Sequence, residues 1–425
     1  MMSNSIAVEL GQRLEPDLLE TCRRLGDIAE DGTLFIVGGA VRDILLGRDP
    51  VEVDLVVQGD ADELAQRAVQ FRLALRTAAS QFMTVKLTIG TREMDIATAR
   101  SETYESPGAL PDVAPSDIET DLGRRDFAAN AIAVSIGSMD FGRVIDPHRG
   151  VNDVQAAVLR ALHARSFRDD ATRMIRAARY ASRLQFRLHA ETEAWLKRDA
   201  SNISTVGPDR LRNEFNRLWR EEKPVEGLIM LQSWGVLDHL PTASNWVSGL
   251  YSFSMSDREA AVRPDDVDDA DVHWALIATT VGTEFETLTD TFHLAGSSRR
   301  AVDDIRLWKE RGLASFNEAK TTGRPSDFTD VLALFEPAAL EALYLTGDAT
   351  ESRVIASYLG TWRHVQPELN GNDLLEMGMS QGPLIGKFLD QLRKARLNNL
   401  VLNRDGEVQL VRQWMGRGSA VADES

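Results

Sequence analysis

The hydrophobic pattern changes near Asp153, and this change constrains the fold more than any other feature of the sequence. Before that point, short β-branched runs alternate with segments of helical periodicity, and after it the strand signals almost vanish. The later helical segments are interrupted at Gly207 and Pro208 and again near Pro224. Because 425 residues exceed what one hydrophobic core normally absorbs, several packed units are expected. The sequence therefore predicts an α+β protein, with a mixed sheet in its first part and helices in the rest.

The elements of the first part can be placed individually. The pattern predicts helices over residues 6–29 and 40–46, and strands over residues 34–37, 53–57, 84–88, 93–98 and 132–134. We expect this mixed α/β domain to end at about residue 155.

Composition excludes several classes of protein. Hydrophobic residues make up 43% and charged residues 27% of the chain, which is the balance of a soluble globular protein. Cys22 is the single cysteine, so neither a disulfide framework nor a cysteine-based zinc site can be built, and a cytoplasmic location fits best. The N-terminal segment lacks the order of a signal peptide, and no apolar run is long enough to span a bilayer. We therefore expect no membrane partner.

The distribution of charge is more informative than the net charge of −17. A strongly acidic chain taken as a whole argues against nucleic acid, because phosphate binding needs lysine and arginine. Residues 160–220, however, contain fourteen Lys and Arg against seven Asp and Glu, whereas residues 257–290 contain ten acidic residues and two arginines. The first segment could meet phosphate, although two solvated helical faces would explain the contrast equally well.

Two short motifs in the first part have the chemistry of a nucleotide site. Gly38 and Gly39 lie between a predicted strand and helix, where backbone N–H groups can approach a triphosphate, although most such pairs are plain turns. Glu52 and Asp54 are two apart on a predicted strand, so both carboxylates should point to the same face and repel each other unless a hard cation lies between them. The alternative is an edge strand with solvent-facing acids.

Four motifs follow one another in the order of a known family. Gly38 to Asp43, Glu52 to Asp54, Arg124 to Ala131 and Asp169 to Arg173 correspond to the patterns G-G-x-V-R-D, D-x-D, R-R-D-F-T-x-N-A and E-D-x-x-R. The chain thereby resembles, over about residues 34–214, the nucleotidyltransferases that include CCA-adding enzymes, their CC-adding and A-adding relatives, and bacterial poly(A) polymerases. Each motif alone also has a purely structural interpretation, such as a surface ion pair.

The resemblance implies an activity and a set of site residues. The activity is template-independent addition of CMP, AMP or both to the 3′ end of tRNA, from CTP and ATP, with release of pyrophosphate. Mg²⁺, with Mn²⁺ as an alternative, would be held by Glu52 and Asp54, and Asp95 would be a further catalytic carboxylate acting as general base or additional ligand. The implied nucleotide-binding residues are Gly38, Gly39, Arg42, Arg124, Asp126, Asn130, Asp170, Arg173, Arg176 and Arg179.

Spacing within two of these motifs suggests how they would act. Asp126 and Asn130, four apart on an expected helix, would both face a ribose, and the resemblance implies that they sense its 2′ hydroxyl. Asp170 and Arg173, three apart on an expected helical face, can imitate the Watson–Crick edge of a template base. From Arg173, arginines recur every three or four residues up to position 187, so five guanidinium groups are expected along one side of a single helix.

Segments outside the four motifs also resemble the family. Residues 100–111 resemble its flexible loop, which helps to switch between C and A addition, and residues 371–386 resemble its tail. Arg393, Lys394 and Arg396 would contact tRNA phosphates there, although a solvated amphipathic helix explains them equally well. The expected parts are a catalytic head (1–155), a helical neck (156–225), a helical body (226–360) and a tail (361–425).

The sequence departs from the family pattern at two positions. Glu52 stands where the family has aspartate, and Ala128 stands where it has threonine. The longer Glu52 side chain raises the alternative of a catalytically impaired tRNA-binding relative. Partial enzymes that add only CC or only A, and a poly(A) polymerase, remain open because they share the same chemistry. A nucleotidyltransferase acting on a small molecule has less support, because it would not need a base-reading helix.

Overall fold

The computed structural model describes residues 2–30, 32–79, 83–89, 92–103, 112–251 and 267–416. The chain forms two compact units, Met1–Leu240 and Pro241–Ser425. The four-part division expected from the sequence remains a prediction.

The first unit contains the strands and a series of helices. The strands are β1 (Leu34–Val37), β2 (Asp54–Val57), β3 (Leu75–Ala79), β4 (Thr84–Ile89), β5 (Arg92–Thr98), β6 (Arg100–Thr103), β7 (Asp112–Pro115), β8 (Ala133–Ser135), β9 (Val144–Ile145), β10 (Val158–Leu159) and β11 (Arg187–Leu188). The helices are α1 (Met2–Arg13), α2 (Pro16–Ile28), α3 (Gly39–Leu45), α4 (Ala61–Gln70), α5 (Ile118–Gly123), α6 (Gly150–Gln155), α7 (Ser166–Asp169), α8 (Thr172–Leu184), α9 (Ala190–Asp199), α10 (Pro208–Trp219) and α11 (Pro224–Ser233).

A mixed sheet with strand order β3-β4-β5-β2-β1-β8-β9 forms the centre of this unit. β2 pairs with β1 antiparallel and with β5 parallel, while β4 pairs with β5 antiparallel. Apolar side chains from several elements, including Phe35, Val56, Leu122 and Ala133, are buried together against the sheet. The prediction of an α+β protein with a mixed sheet followed by helices is confirmed.

Two details of the predicted elements are wrong. The helix expected over residues 6–29 is two helices, because α1 ends at Arg13 and Pro16, which lacks a backbone N–H, begins α2. The chain beyond Asp153 is not wholly helical either, since β10 and β11 form a short parallel pair in which Leu159 lies opposite Leu188.

The second unit is helical in the residues that the structure describes. Its elements are α12 (Trp246–Tyr251), α13 (Asp269–Thr280), α14 (Phe285–Thr291), α15 (Gly296–Leu307), a π-helical turn (Trp308–Gly312), α16 (Leu313–Thr322), α17 (Pro325–Leu332), α18 (Pro337–Thr346), α19 (Ala349–Gly360), α20 (Gly371–Glu376), α21 (Pro383–Leu397) and α22 (Arg404–Gly416). Trp246, Trp274 and Phe292 form a buried aromatic cluster in this unit. Within the described ranges, no helix combines the length and the apolar character that crossing a bilayer requires.

The basic residues near the C-terminus have partners within their own unit. The Arg393 side chain donates to the Val365 carbonyl at 3.0 Å, and Lys394 lies 2.8 Å from Asp330. Arg396 pairs with Glu407 at 2.7 Å and also with a second carboxylate. These contacts give all three residues a role in holding helices together, and their expected contact with tRNA phosphates remains a prediction.

Candidate active site

A cavity of about 520 Å³ in the first unit gathers most of the residues singled out from the sequence. It is lined by the predicted residues Gly38, Gly39, Asp54, Arg124, Asp126, Asn130, Asp170, Arg173 and Arg176. Arg42, Glu52, Asp95 and Arg179 are not among its lining residues. Residues more than a hundred positions apart in the sequence therefore converge on one concave surface, which is typical of a ligand site.

The glycine turn at the start of α3 needs glycine at its first position. Gly38 has a φ of +71°, a left-handed conformation that side chains disfavour, and a Cβ atom there would lie 2.9 Å from Nη1 of Arg125. Arg42, one turn later, is 2% exposed and packs behind the turn, where its Nη1 donates to Oδ1 of Asn130 at 2.6 Å. The structure thus places Arg42 as a support for the cavity wall and does not place it at the surface of the cavity.

Two acidic side chains lie next to each other on the central sheet. Leu55 of β2 lies opposite Ile96 of β5 in a parallel pair, so Asp54 and Asp95, each one residue earlier, are neighbours on the same face. On the next strand, Lys86 lies opposite Asp95, with its Nζ 3.6 Å from Oδ1 of that residue. The cross-strand register therefore forms a row of two carboxylates and one ammonium group.

The electrostatics of Asp54 show that its negative charge is only partly compensated. Desolvation by the surrounding protein raises the pKa of its carboxyl above the ordinary value, the charge of Arg125 lowers it, and the negative charges of Asp95 and Glu52 raise it again. The net effect is a raised pKa. A bound cation would oppose this shift, because an added positive charge favours the ionised carboxylate.

Glu52 lies differently from the expectation. β2 begins at Asp54, so Glu52 precedes the strand and the argument from alternation along a strand does not apply to it. Its exposed side chain lines a separate cavity of about 830 Å³, together with residues that include Val53 and Glu93. The negative charge of Glu52 still raises the pKa of Asp54. The role of Glu52 as a metal ligand remains a prediction.

The residues present fit a divalent cation that takes some of its ligands from the protein and the others from a substrate. In the parts of the chain that the structure describes, no three histidine, cysteine, aspartate or glutamate side chains are grouped closely enough to hold a metal ion. Mg²⁺, however, is often bound by one or two carboxylates together with phosphate oxygens and water. Asp54 and Asp95 supply such a pair of hard oxygen donors, and Lys86 lies where a cation would be favoured.

Asp126 and Asn130 are buried and hydrogen-bonded to each other, but they do not lie on one helix. Asp126 precedes the short 3-10 helix Ala128–Asn130, and Asn130 Nδ2 donates to Asp126 Oδ1 at 3.1 Å. Arg176 donates twice to the other carboxylate oxygen, at 2.9 and 2.6 Å. Burial alone would raise the pKa of Asp126, but the charge of Arg176 and the hydrogen bond from Asn130 outweigh it and hold the pKa below its ordinary value. The carboxylate is therefore kept ionised inside the protein.

The two arginines of the Arg-Arg-Asp-Phe motif share a buried carboxylate. Arg124 and Arg125 contact opposite oxygens of Asp121, at 2.7 and 3.0 Å, and Asp121 is completely buried. Arg124 also pairs with Glu102 of β6 at 2.7 Å. Burial would raise the pKa of Asp121, and the charges of both arginines outweigh it and lower the pKa. Both guanidinium groups are fixed in place and remain partly exposed toward the cavity.

Asp170 and Arg173 both line the cavity, although Asp170 is not on the helix that was expected to present them. It precedes α8 and accepts from the backbone and hydroxyl of Thr172, at 3.0 and 2.6 Å, and from Arg210 at 2.8 Å. All three contacts use Oδ1. Arg173 donates to Ser166 Oγ at 2.8 Å and to the Arg124 carbonyl at 2.7 Å.

The arginine series is shorter than expected. Arg187 lies on β11 and not on α8, because the helix ends at Leu184 and Gln185 adopts a left-handed conformation. Arg179 is 9% exposed and pairs with Glu214 at 3.0 Å and with a second glutamate.

Sequence reasoning missed several residues that line the cavity, among them Tyr180, Arg210 and Glu214. Arg210 and Glu214 are four apart on α10, a spacing that could have marked one helical face. Tyr180 occurs within the arginine series and had no signal of its own.

The flexible loop expected at residues 100–111 falls partly outside the described residues, which exclude 104–111. The flanking strands β6 and β7 pair antiparallel, with Ser101 opposite Ala114. Of the expected segment, the structure therefore describes only residues 100–103.

Comparison with known proteins identifies related sequences and structures. The family model of the poly A polymerase head domain matches residues 34–160, and that of the probable RNA and SrmB-binding site of polymerase A matches residues 185–246. The A-adding tRNA nucleotidyltransferase of Halalkalibacterium halodurans is 28% identical over 423 residues, which cover 97% of this chain and 96% of that protein.

Two further matches also extend over nearly the whole chain. The CC-adding tRNA nucleotidyltransferase of Deinococcus radiodurans is 30% identical over 402 residues, covering 94% of this chain and 93% of that protein. The solved structure of the Thermotoga maritima CCA-adding enzyme complexed with tRNA superposes with a TM-score of 0.71 and 25% identity, covering 96% of this chain and 98% of that one. The chain belongs to the family of tRNA nucleotidyltransferases and poly(A) polymerases, and it is an RNA nucleotidyltransferase.

Proposed function

We propose that this protein extends the 3′ end of tRNA, adding CMP, AMP or both from CTP and ATP with release of pyrophosphate. The observation that carries the proposal is one cavity lined by a glycine turn, by Asp54 and by the Asp170–Arg173 pair, with Asp95 next to Asp54 on the neighbouring strand. The relatives named above add A, CC or CCA, so their names support tRNA as the acceptor without selecting one product.

Each part of the cavity has a role in the proposed reaction. The backbone at Gly38 and Gly39 and the guanidinium groups of Arg124 and Arg125 would neutralise the triphosphate. The tRNA 3′ hydroxyl would attack the α-phosphorus, with pyrophosphate as the leaving group. The Asp126 carboxylate and the Asn130 amide would accept and donate hydrogen bonds at the ribose hydroxyls. Catalysis of this kind consists mainly of positioning and charge neutralisation.

The base would be read by Asp170 and Arg173. Thr172 and Arg210 hold Asp170 through Oδ1, which leaves Oδ2 to accept from the exocyclic amino group of cytosine or adenine. Arg173 is fixed at both terminal nitrogens, by Ser166 and by the backbone of Arg124. A guanidinium group that is fixed in one orientation favours selection between bases. A base with the wrong hydrogen-bonding edge would leave a buried donor or acceptor unpaired.

We propose Mg²⁺ as the divalent ion, with Mn²⁺ as an alternative. When bound, the ion neutralises phosphate charge and promotes ionisation of the attacking hydroxyl. Asp54 and Asp95 would hold it, because the sheet register makes them neighbours. Glu52, which lies outside the strand, would contribute less than an aspartate ligand at that position. The cytoplasmic location expected from the sequence also remains a proposal.

Incubation with defined tRNA transcripts tests the function and identifies the product. Transcripts that lack the whole CCA end, that end after the first C and that end after the second C would each be supplied with CTP or ATP. Incorporation on one or more of them is expected, and the pattern distinguishes CCA, CC-only and A-only addition, while long A tracts on other RNA would indicate a poly(A) polymerase. tRNA binding without pyrophosphate release under either Mg²⁺ or Mn²⁺ would instead show an inactive tRNA-binding relative.

Variants test the carboxylates. Asp54→Asn and Asp95→Asn should each reduce incorporation about a hundredfold or more, because a metal ion supplies several kcal/mol of charge stabilisation and each ~1.4 kcal/mol is a factor of ten. Glu52→Gln should cost less than either. Glu63→Gln, on the exposed side of α4, is the matched control and should leave incorporation unchanged. A loss with Glu52→Gln as large as that with Asp54→Asn would contradict the proposed pair.

A further inference from the structure

Tyr180, on α8, lies among four guanidinium groups at the edge of the cavity. The Cζ atoms of Arg42, Arg176, Arg179 and Arg183 lie 5.5, 5.5, 5.7 and 5.3 Å from the centre of its ring. These distances are within the range at which an aromatic ring attracts a cation. The phenol oxygen in addition accepts a hydrogen bond from Nη2 of Arg176 at 3.1 Å.

The ring contacts cations from two separate elements. Arg42 belongs to α3, beside the glycine turn, whereas the other three arginines belong to α8. The ring of Phe127 meets that of Tyr180 edge to face, with centroids 6.0 Å apart and an interplanar angle of 89°. Tyr180 is therefore held on more than one side by protein groups.

Two of the four arginines hold the residues that we place at the ribose. Arg42 donates to Oδ1 of Asn130 at 2.6 Å, and Arg176 donates to Oδ2 of Asp126 at 2.6 Å. Asn130 and Asp126 are in turn bonded to each other at 3.1 Å. Each of these residues therefore contacts the next, in the order Tyr180, Arg42, Asn130, Asp126 and Arg176, and Arg176 contacts Tyr180 again.

We propose that Tyr180 is a positioning residue that fixes Asp126 and Asn130, and thereby sets the preference of the enzyme for ribonucleotides over deoxyribonucleotides. The inference rests on the proposed function for the placement of the ribose beside Asp126 and Asn130. In this role Tyr180 acts through Arg42 and Arg176. Its ring and its hydroxyl make different contacts, because the ring lies against both Arg42 and Arg176, whereas the hydroxyl accepts a hydrogen bond from Arg176.

Two substitutions separate these contacts. Tyr180→Phe keeps the ring and removes the acceptor for Arg176, so the ratio of kcat/KM for CTP to that for dCTP should fall about fivefold, the equivalent of roughly one net hydrogen bond. Tyr180→Leu removes the ring as well, so the ratio should fall about tenfold or more and KM should rise for both nucleotides. Tyr358→Phe, which removes a phenol hydroxyl in the second unit, is the matched control and should leave the ratio unchanged.

The ratio is a readout that general destabilisation of the fold would not move, since both sugars would then lose activity together. Circular dichroism and thermal melting of the full chain check that the variants fold, and Tyr180→Phe, the smaller change, keeps the test valid if Tyr180→Leu does not. Equal losses for CTP and dCTP in Tyr180→Phe, or an unchanged ratio in both variants, would overturn the proposal.

Equilibrium binding separates failure of this inference from failure of the proposed function. If the wild-type protein adds no nucleotide to any tRNA, calorimetric titration with CTP and with dCTP still measures its sugar preference. A preference for CTP that Tyr180→Phe weakens supports the positioning role, whatever the acceptor proves to be. Equal affinities of the wild-type protein for CTP and dCTP would show that the Asp126 and Asn130 pair senses no hydroxyl, and the inference would be wrong.

Discussion

Replacing Arg176 by methionine removes the cation that faces a buried carboxylate. Asp126 is 6% exposed, and Arg176 supplies two of its hydrogen bonds and its main compensating charge. Breaking a buried ion pair on one side typically costs about 3–5 kcal/mol. Here the Arg176 side chain is 29% exposed and Asn130 and the Phe127 N–H still bond to Asp126, so we expect a loss of about 2–3 kcal/mol in the free energy of unfolding.

The dependence of this loss on pH follows from the direction of the pKa shift. In the wild type the folded-state pKa of Asp126 lies below the ordinary value of 3.8, so its contribution to stability is complete above that value and is lost only as the pH falls through the folded-state pKa. In the Arg176→Met variant, the largest influence that opposes burial is gone, and we expect burial to outweigh the remaining hydrogen bonds and to raise the folded-state pKa of Asp126 above the unfolded value. Protonation then stabilises the variant as the pH falls. The difference in stability between wild type and variant should therefore be largest near neutral pH and smaller near pH ~4.

Urea denaturation of the full chain, followed by circular dichroism at neutral pH and at pH ~4, measures this difference. Each unfolding transition is analysed separately. The double variant Asp126→Asn and Arg176→Met should recover part of the loss, because it leaves no unpaired buried charge. Arg143→Met, which breaks an exposed Arg–Asp pair of 2.8 Å, should cost only about 0–1 kcal/mol. A loss that is the same at both pH values, or a double variant no more stable than Arg176→Met, would refute the electrostatic reasoning.

Three further outcomes are expected from packing. Gly150→Ala should destabilise by about 1–3 kcal/mol, because the new Cβ would lie 2.0 Å from the Ala128 carbonyl oxygen, whereas Gly207→Ala, with nothing within 4 Å, should not; urea denaturation of both compares them. Phe292→Ala should cost about 3–5 kcal/mol in the same assay, since its ring is completely buried among two tryptophans. Burial raises the pKa of the Cys22 thiol to about 12, so the native protein should not react with a thiol reagent at pH ~8 until denaturant is added, and rapid reaction of the native protein would contradict its burial.

Local patterns predicted the elements of the fold that depend on a few neighbouring residues. The strand at Leu34–Val37 was located correctly because all four of its residues are apolar and buried. The break at Pro16 and the strand status of Arg187 were missed, because the surrounding sequence continues a helical pattern. β9 and β10 were also missed, since two-residue strands carry no periodicity.

The sequence predicted which residues belong to the candidate site better than it predicted how they are arranged. Motif order brought Asp126 and Asn130 together correctly, but placing them on a helix was wrong, because a hydrogen bond from the Phe127 N–H to Asp126 holds a turn instead. The pairing of Asp54 with Asp95 could not be derived from spacing, since it depends on which strands become neighbours in the sheet. The role of Tyr180 depends on Arg42 from another helix, and no sequence pattern places these two side chains together.

The parallel pairing of β2 with β5 has a consequence for how the protein acquires activity. The two carboxylates come from strands separated by a crossover, so no local segment of chain can form the pair before the sheet assembles. A slip of β5 by a single residue would turn Asp95 to the opposite face of the sheet and expose the apolar Met94 and Ile96 in its place. Burial of those two neighbours thus maintains the register that brings Asp54 and Asp95 together, and we expect a misregistered sheet to be both unstable and inactive.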